Sequence, residues 1–198
     1  MQTVLAVLAA YLLGSVSFAM ISAKFFGLAD PRSYGSGNPG ATNVLRSGNK
    51  KAALFTLLGD ALKGWLAVFV AQQAGLSDAA IGLVALAVFF GHLFPVFLKF
   101  KGGKGVATAA GVLFALDPLL GLAVAGTWLL SAYAFRYSSL AAILAAALAP
   151  VYSLLFHGAS SQGIVIGILA VALIIKHWQN LQRLLAGQEA KIGSKKKG

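Results

Sequence analysis

The chain has 198 residues, of which 59% are hydrophobic and only 11% charged, with a mean hydropathy of +0.82 and a formal net charge of +11. So few polar side chains cannot cover a water-soluble globule, so lipid must cover part of the surface; the basic residues lie between apolar runs, a pattern that speaks against a nucleic-acid-binding face. With no cysteine, disulfides, thiolate catalysis and cysteine-ligated metals are excluded.

A spanning helix takes roughly 20 residues. Apolar runs fall at about 3–23, 52–72, 79–98, 105–116, 118–135, 139–156 and 162–176. The first begins Met1-Gln2-Thr3, without the basic region that precedes a cleavable signal, and is long enough to span. The fourth is short, roughly 18 Å at helical rise, and Asp117-Pro118 parts it from the fifth. The expected architecture is all-α: a single polytopic membrane domain over 1–198 with seven transmembrane helices.

The charge of the connections supports that count. On alternate sides, one side receives 15 of the 16 basic residues, and the other receives the stretches at 72–78 and 157–162 with no Lys or Arg. Fusing the fourth and fifth runs would move Arg136 to the uncharged side. The amino terminus is then expected outside and the carboxyl terminus in the cytoplasm. Gly163 and Gly167, spaced as GxxxG, either let the last span approach a neighbour closely or are ordinary intramembrane glycines. The Lys195-Lys196-Lys197 tail reads as an anionic-lipid contact.

Three connections are too polar for simple turns. The first is Gly35-Ser36-Gly37-Asn38-Pro39-Gly40-Ala41-Thr42-Asn43-Val44-Leu45-Arg46. Its glycines permit the backbone approach that a phosphate cradle needs; Ser36, Asn38, Thr42 and Asn43 add neutral donors and Arg46 a bidentate one. Between it and the second, Asp60 and Lys63 stand at i and i+3 within an apolar helix, either functional or a bracing pair. The second connection follows Gly91-His92 and Phe94-Pro95 and carries Lys101-Gly102-Gly103-Lys104-Gly105-Val106-Ala107-Thr108. Its spacing is not that of a P-loop, but Lys104 among glycines at a helix start suits phosphate. His92 reads as a hydrogen-bonded helix residue and His157, on the uncharged side, as outside the chemistry. The third segment, His177, Trp178, Asn180, Arg183, Gly187, Glu189 and Lys191, is either a polar stripe facing a site or an amphipathic interfacial helix.

No His has Asp five positions on, which removes the pair of soluble-type glycerolipid acyltransferases. The four Asp are dispersed, so the paired aspartates of a metal-dependent CDP-alcohol transferase are missing, and no GxSxG elbow occurs. No metal and no cofactor are expected.

Gly35-Ser36-Gly37-Asn38 with residues 40–46, Gly91-His92 with Phe94-Pro95 and residues 101–108, and His177 with Asn180, Arg183, Leu184, Gly187, Glu189 and Lys191 together resemble the bacterial acyl-phosphate:glycerol-3-phosphate acyltransferase family of the PlsY type. The resemblance implies transfer of a fatty acyl group from acyl phosphate to the sn-1 hydroxyl of glycerol 3-phosphate, giving lysophosphatidic acid, at the cytoplasmic face of a bacterial inner membrane. It implies catalytic roles for Lys104, His177 and Asn180. Substrate binding is expected of Ser36, Gly37, Asn38, Thr42, Asn43, Arg46, Gly102, Gly103, Gly105, Arg183 and Glu189. The partners expected are the two substrates and membrane lipid. The proton acceptor is either His177 or, as favoured, the phosphate of the acceptor substrate, whose second pKa is about 6. A transporter of phosphorylated solutes is the competing reading; it requires polar residues through the membrane depth, and the spans offer few beyond Asp60 and Lys63.

Overall fold

The computed structural model describes residues 1–193, so the expected lipid contact of Lys195, Lys196 and Lys197 lies outside the described residues. Every regular element among those residues is helical: α1 (Gln2–Ser15), α2 (Phe18–Phe25), α3 (Ala41–Leu45), α4 (Lys50–Gln73), α5 (Asp78–Leu93), a 3-10 turn (Val96–Leu98), α6 (Val106–Leu116), α7 (Pro118–Phe135), α8 (Ser138–His157), α9 (Ser161–Lys176) and α10 (Trp178–Leu185). Four spans are long and apolar enough to cross a membrane, and six if the bent pairs α1–α2 and α9–α10 each count as one; α6 is a shorter apolar helix. Leu54, Leu58 and Leu62 along α4 and Leu129, Leu130 and Tyr133 along α7 are exposed, as side chains facing lipid would be.

The chain forms two compact units, Met1–Leu116 and the remainder from Asp117. In the first, α1 packs on α5 and α4 on α6. Both crossings are close because they are made at glycine. A Cβ at Gly14 would overlap the Val88 carbonyl, and one at Gly91 the Tyr11 carbonyl; Gly64 and Gly111 meet the Thr108 and Ala61 carbonyls in the same way. Of the two readings of Gly163 and Gly167, the structure fits ordinary intramembrane glycine. A Cβ at Gly163 would make only ordinary contact with Ser153 and Ser160, and one at Gly167 would meet open space. The second unit packs α7 on α8 and α8 on α9, with α10 against both α8 and α9.

The run expected as one helix over 3–23 is two, bent by 40° at Val16 and Ser17, whose backbone is extended. The break frees the Val16 carbonyl, and the Lys63 ammonium donates to it at 2.6 Å. Other boundaries follow local chemistry. Asn49 caps α4 by accepting from Ala52 N–H, and Asp117, followed by Pro118 at the first helical position, caps α7 by accepting from Leu119 N–H.

Candidate active site

The loop from 31 to 46 is organised by Asn43. Its side-chain amide donates to the Pro31 carbonyl at 2.6 Å and to that of Tyr34 at 3.2 Å, while its oxygen accepts from Ser36 N–H at 2.9 Å. A buried asparagine used in this way substitutes for secondary structure. Gly35 has φ +61° and Gly37 φ +67°, and a Cβ at Gly35 would overlap the Asn43 side chain. With the loop held from beneath, Ser36, Gly37, Thr42 and Arg46 are exposed and Asn38 half-buried. Asn43 is itself 2% exposed, and its amide is directed at the loop's own backbone.

The second loop leaves α5 and is tied to α1. Tyr11 Oη donates to the Phe94 carbonyl at 2.7 Å, and Ser15 Oγ accepts from Val96 N–H at 3.3 Å. Lys99 and Phe100 then take left-handed conformations, φ 52° and 62°, costly for side-chain-bearing residues and found where surrounding structure imposes them. The chain folds back so that Gly103 N–H donates to the His92 carbonyl at 3.1 Å. A Cβ at Gly102 would overlap that carbonyl, at Gly103 the His92 ring, and at Gly105, φ +85°, the Phe89 ring. The glycines are therefore required by close approach to α5. Lys104 lies half-buried between Gly103 and Gly105, both buried.

Below this turn lies a cluster that sequence reasoning saw only in part. Lys63 Nζ is 2.8 Å from Asp60 Oδ1, as the spacing within α4 suggests, and His92 Nδ1 approaches the same oxygen at 3.5 Å. The sequence signal was Asp60 and Lys63 inside an apolar span; His92, 29 or more positions away, could be joined to them only by tertiary packing. A second His–carboxylate pair, His157 and Asp117 at 2.7 Å, sits at the α7 cap, likewise unforeseen.

In the second unit, His177 is the hinge between α9 and α10, which meet at 57°. It is 3% exposed, with Nδ1 2.9 Å from the Leu173 carbonyl. One turn on, α10 presents Asn180 and Arg183 to Glu189. Asn180 Nδ2 donates to Glu189 Oε1 at 2.6 Å, Arg183 Nε to Oε2 at 2.7 Å, and Ser139 Oγ of α8 to Oε1 at 2.7 Å. Burial alone would raise the Glu189 carboxyl, but the bonds from Ser139, Asn180 and Arg183 outweigh it and hold the group below its ordinary value. Glu189 is thus an ionised hub that orients Asn180 and Arg183. Beyond it, Ile192 N–H donates to the Arg136 carbonyl at 2.7 Å and ties the segment to the α7–α8 turn.

Among the described residues, no three His, Asp or Glu side chains converge as metal ligands. An open depression of about 550 Å³ at Pro150, Gly158, Ser160 and Gly163 contains none of the candidate site residues.

The chain matches the family described as glycerol-3-phosphate acyltransferase over residues 4–187. It is 78% identical over 197 residues to a glycerol-3-phosphate acyltransferase of Dechloromonas aromatica, covering 100% of both chains. To one of Burkholderia ambifaria it is 60% identical over 199 residues, covering 100% of this chain and 94% of the other. Among solved structures, it is similar to the crystal structure of PlsY (YgiH), an integral membrane glycerol 3-phosphate acyltransferase. The glycerol 3-phosphate form gives a TM-score of 0.92 at 38% identity, and the lysophosphatidic acid form 0.90 at 36%, each covering 98% of this chain and 96% of the other. By sequence over nearly its whole length and by its all-helical integral membrane fold, the chain belongs to the PlsY-type glycerol-3-phosphate acyltransferase family.

Proposed function

We propose that residues 1–198 act as one membrane acyltransferase that moves a fatty acyl group from acyl phosphate to the sn-1 hydroxyl of glycerol 3-phosphate, releasing lysophosphatidic acid and phosphate. The observation that carries the reading is the family match from 4 to 187, which takes in the first two polar segments and the third as far as Gly187. The solved relatives, named for their glycerol 3-phosphate and lysophosphatidic acid forms, support the acceptor and the product. Asp60 and Lys63, on which a transport path would rest, pair with each other, which weighs against that alternative.

Glycerol 3-phosphate is assigned to Ser36, Arg46, Lys104, His177 and Asn180, with Asn38 and Thr42 supplying further donors and Gly37, whose N–H is turned to the Tyr34 carbonyl, allowing close approach of the backbone. The backbone of residues 102–105 is assigned to the acyl phosphate headgroup and the departing phosphate. Asn43 shapes the first loop, while Glu189 sets Asn180 and Arg183 for their contacts. The acceptor hydroxyl oxygen bonds to the acyl carbon, the carbon–oxygen bond to phosphate breaks, and the hydroxyl proton passes to the acceptor's own phosphate. An already activated donor needs positioning and charge stabilisation more than a strong base. His177 then orients substrate. Its Nδ1 facing a backbone carbonyl, a placement that fixes a tautomer without raising basicity as a carboxylate would, supports that role.

The seven spans of this reading are the α1–α2 pair, α4, α5, α6, α7, α8 and α9, with the amino terminus outside and the three polar segments in the cytoplasm of a bacterial inner membrane. The one-sided distribution of Lys and Arg supports this orientation. The test is incubation of detergent-purified protein with labelled glycerol 3-phosphate and either palmitoyl phosphate or palmitoyl-CoA. Lysophosphatidic acid and phosphate should appear in equal amounts from palmitoyl phosphate without added metal. Product from the CoA donor at comparable rate, with acyl phosphate ignored, would overturn the donor assignment.

A further inference from the structure

Asp60, Lys63 and His92 are 2%, 2% and 6% exposed, an expensive set of groups to place inside an apolar helical unit. An ion pair so deeply buried returns little stability, since apolar side chains of the same volume often do as well or better. Its geometry points to another use. The Lys63 ammonium is fixed by Asp60 and by the Val16 carbonyl, and the carboxylate in turn faces His92 Nδ1. At 3.5 Å this contact is electrostatic, and a carboxylate on that edge favours the Nδ1–H tautomer and turns Nδ1 toward itself. The opposite edge of that ring, Nε2, lies where a Cβ on Gly103 would fall, and the His92 carbonyl receives Gly103 N–H. Lys63, His92, Gly102 and Gly103 also line one small pocket.

We propose that His92 is a positioning residue: Asp60 and Lys63 lock its imidazole as the floor on which Gly102 and Gly103 rest, and this sets the height and direction of the phosphate-binding turn and of Lys104. The inference rests on the reading of residues 102–105 as that turn. A rigid floor is worth having because a displacement of about 1 Å in a substrate-holding group can cost on the order of a hundredfold in rate. Gly103 is then glycine because the floor is an imidazole, and the two positions must be coupled.

The test is a double-mutant cycle in the full-length protein, purified in detergent, with each variant shown to elute as a folded species before kcat and both KM values are measured. Gly103→Ala should raise the KM of the phosphorylated substrate that the turn holds, acyl phosphate on the assignment above, by more than about tenfold. His92→Ala should raise the KM of the same substrate. In the double variant, removal of the ring makes room for the methyl group, so the loss should be well short of the product of the two single losses. His92→Asn, whose amide N–H can replace Nδ1–H toward Asp60, should recover much of the His92→Ala loss. A general packing defect would predict neither the shared KM shift nor that recovery. Should His92→Ala not fold, His92→Asn in the Gly103→Ala background carries the cycle, since asparagine is shorter on the Nε2 side. If Gly103→Ala is impaired while folded His92 variants keep both KM values, or if the two losses multiply, the positioning role falls and the phosphate turn stands. If Gly103→Ala leaves both KM values unchanged, both fall together.

Discussion

Glu189→Gln isolates the charge of one hub at nearly constant shape. The Glu189 side chain is 6% exposed and receives three donors, Ser139 and Asn180 on Oε1 and Arg183 on Oε2. Glutamine offers one oxygen. If it takes the Oε1 place, Arg183 faces an NH2 group; turned over, both the Asn180 amide and Ser139 do, and only the Ser139 hydroxyl can turn to accept. Either way one donor is stranded and the surviving bonds fall to neutral strength. Bonds to charged groups are worth about 1.5–3 kcal/mol, and Arg183, 39% exposed, belongs at the low end, so the sum is about 2–4 kcal/mol. For a chain of this length that is a fall in melting temperature on the order of 10 °C. The pH dependence supplies a sign. A carboxyl held below its usual 4.5 contributes stability that is fully present above that value and is lost as pH falls through the folded-state value. Thermal unfolding in detergent should therefore show a wild-type advantage that is constant from neutral pH down to the ordinary carboxyl value of 4.5 and closes as the pH falls below it. An equally stable Gln variant at pH 7, or a gap that persists unchanged into strong acid, would refute the hub.

Lys104→Ala should lose well over tenfold in kcat/KM, since a cation on phosphate is worth roughly 1.5–3 kcal/mol; near-normal turnover of the inserted variant would make Lys104 a membrane anchor. His177→Asn should keep residual activity whose pH profile still shows a group near the phosphate pKa of about 6, whereas loss of that limb with substrate still bound would make histidine the base. An accessibility reporter after Lys191 should label from the cytoplasm and one between residues 72 and 78 from outside; cytoplasmic labelling of both would end the seven-span reading.

Much of the frame was legible because bilayer thickness and helical rise leave few choices. The runs at 52–72 and 118–135 became Lys50–Gln73 and Pro118–Phe135, and Asp117-Pro118 parts two helices as cap and first residue usually do. What escaped was tertiary. Gly14, Ser15 and Ser17 weaken the helix there but do not by themselves fix a break, and the carbonyl that the break frees is met by Lys63 far along the chain. The motif spacing of Gly163 and Gly167 allowed a close helix contact, but the tight crossings fell at isolated glycines whose partners are backbone carbonyls on other helices. Within the candidate site, the polarity of the first loop showed that it was specialised. It did not show that Asn43 faces inward to hold the loop while Ser36 and Arg46 face outward. The second loop's glycines read as phosphate residues, and only the structure adds that each also lies against a side chain or carbonyl at the end of α5.

A carbonyl left open in lipid costs several kcal/mol, and Val16 has one until Lys63 reaches it across 47 residues of sequence. During synthesis, then, the bent amino-terminal segment is not a finished transmembrane element when it leaves the ribosome. Straightening it would satisfy the carbonyl but swing α2 off α4, where Ser22 Oγ donates to the Ala52 carbonyl. The cation that closes the gap cannot enter lipid cheaply without Asp60, one turn before it on the same helix. Each of these segments lacks something that the other carries, so their release into the bilayer is expected to be concerted. A nascent chain stalled between them should remain beside the insertion machinery, where quality-control proteases can reach it.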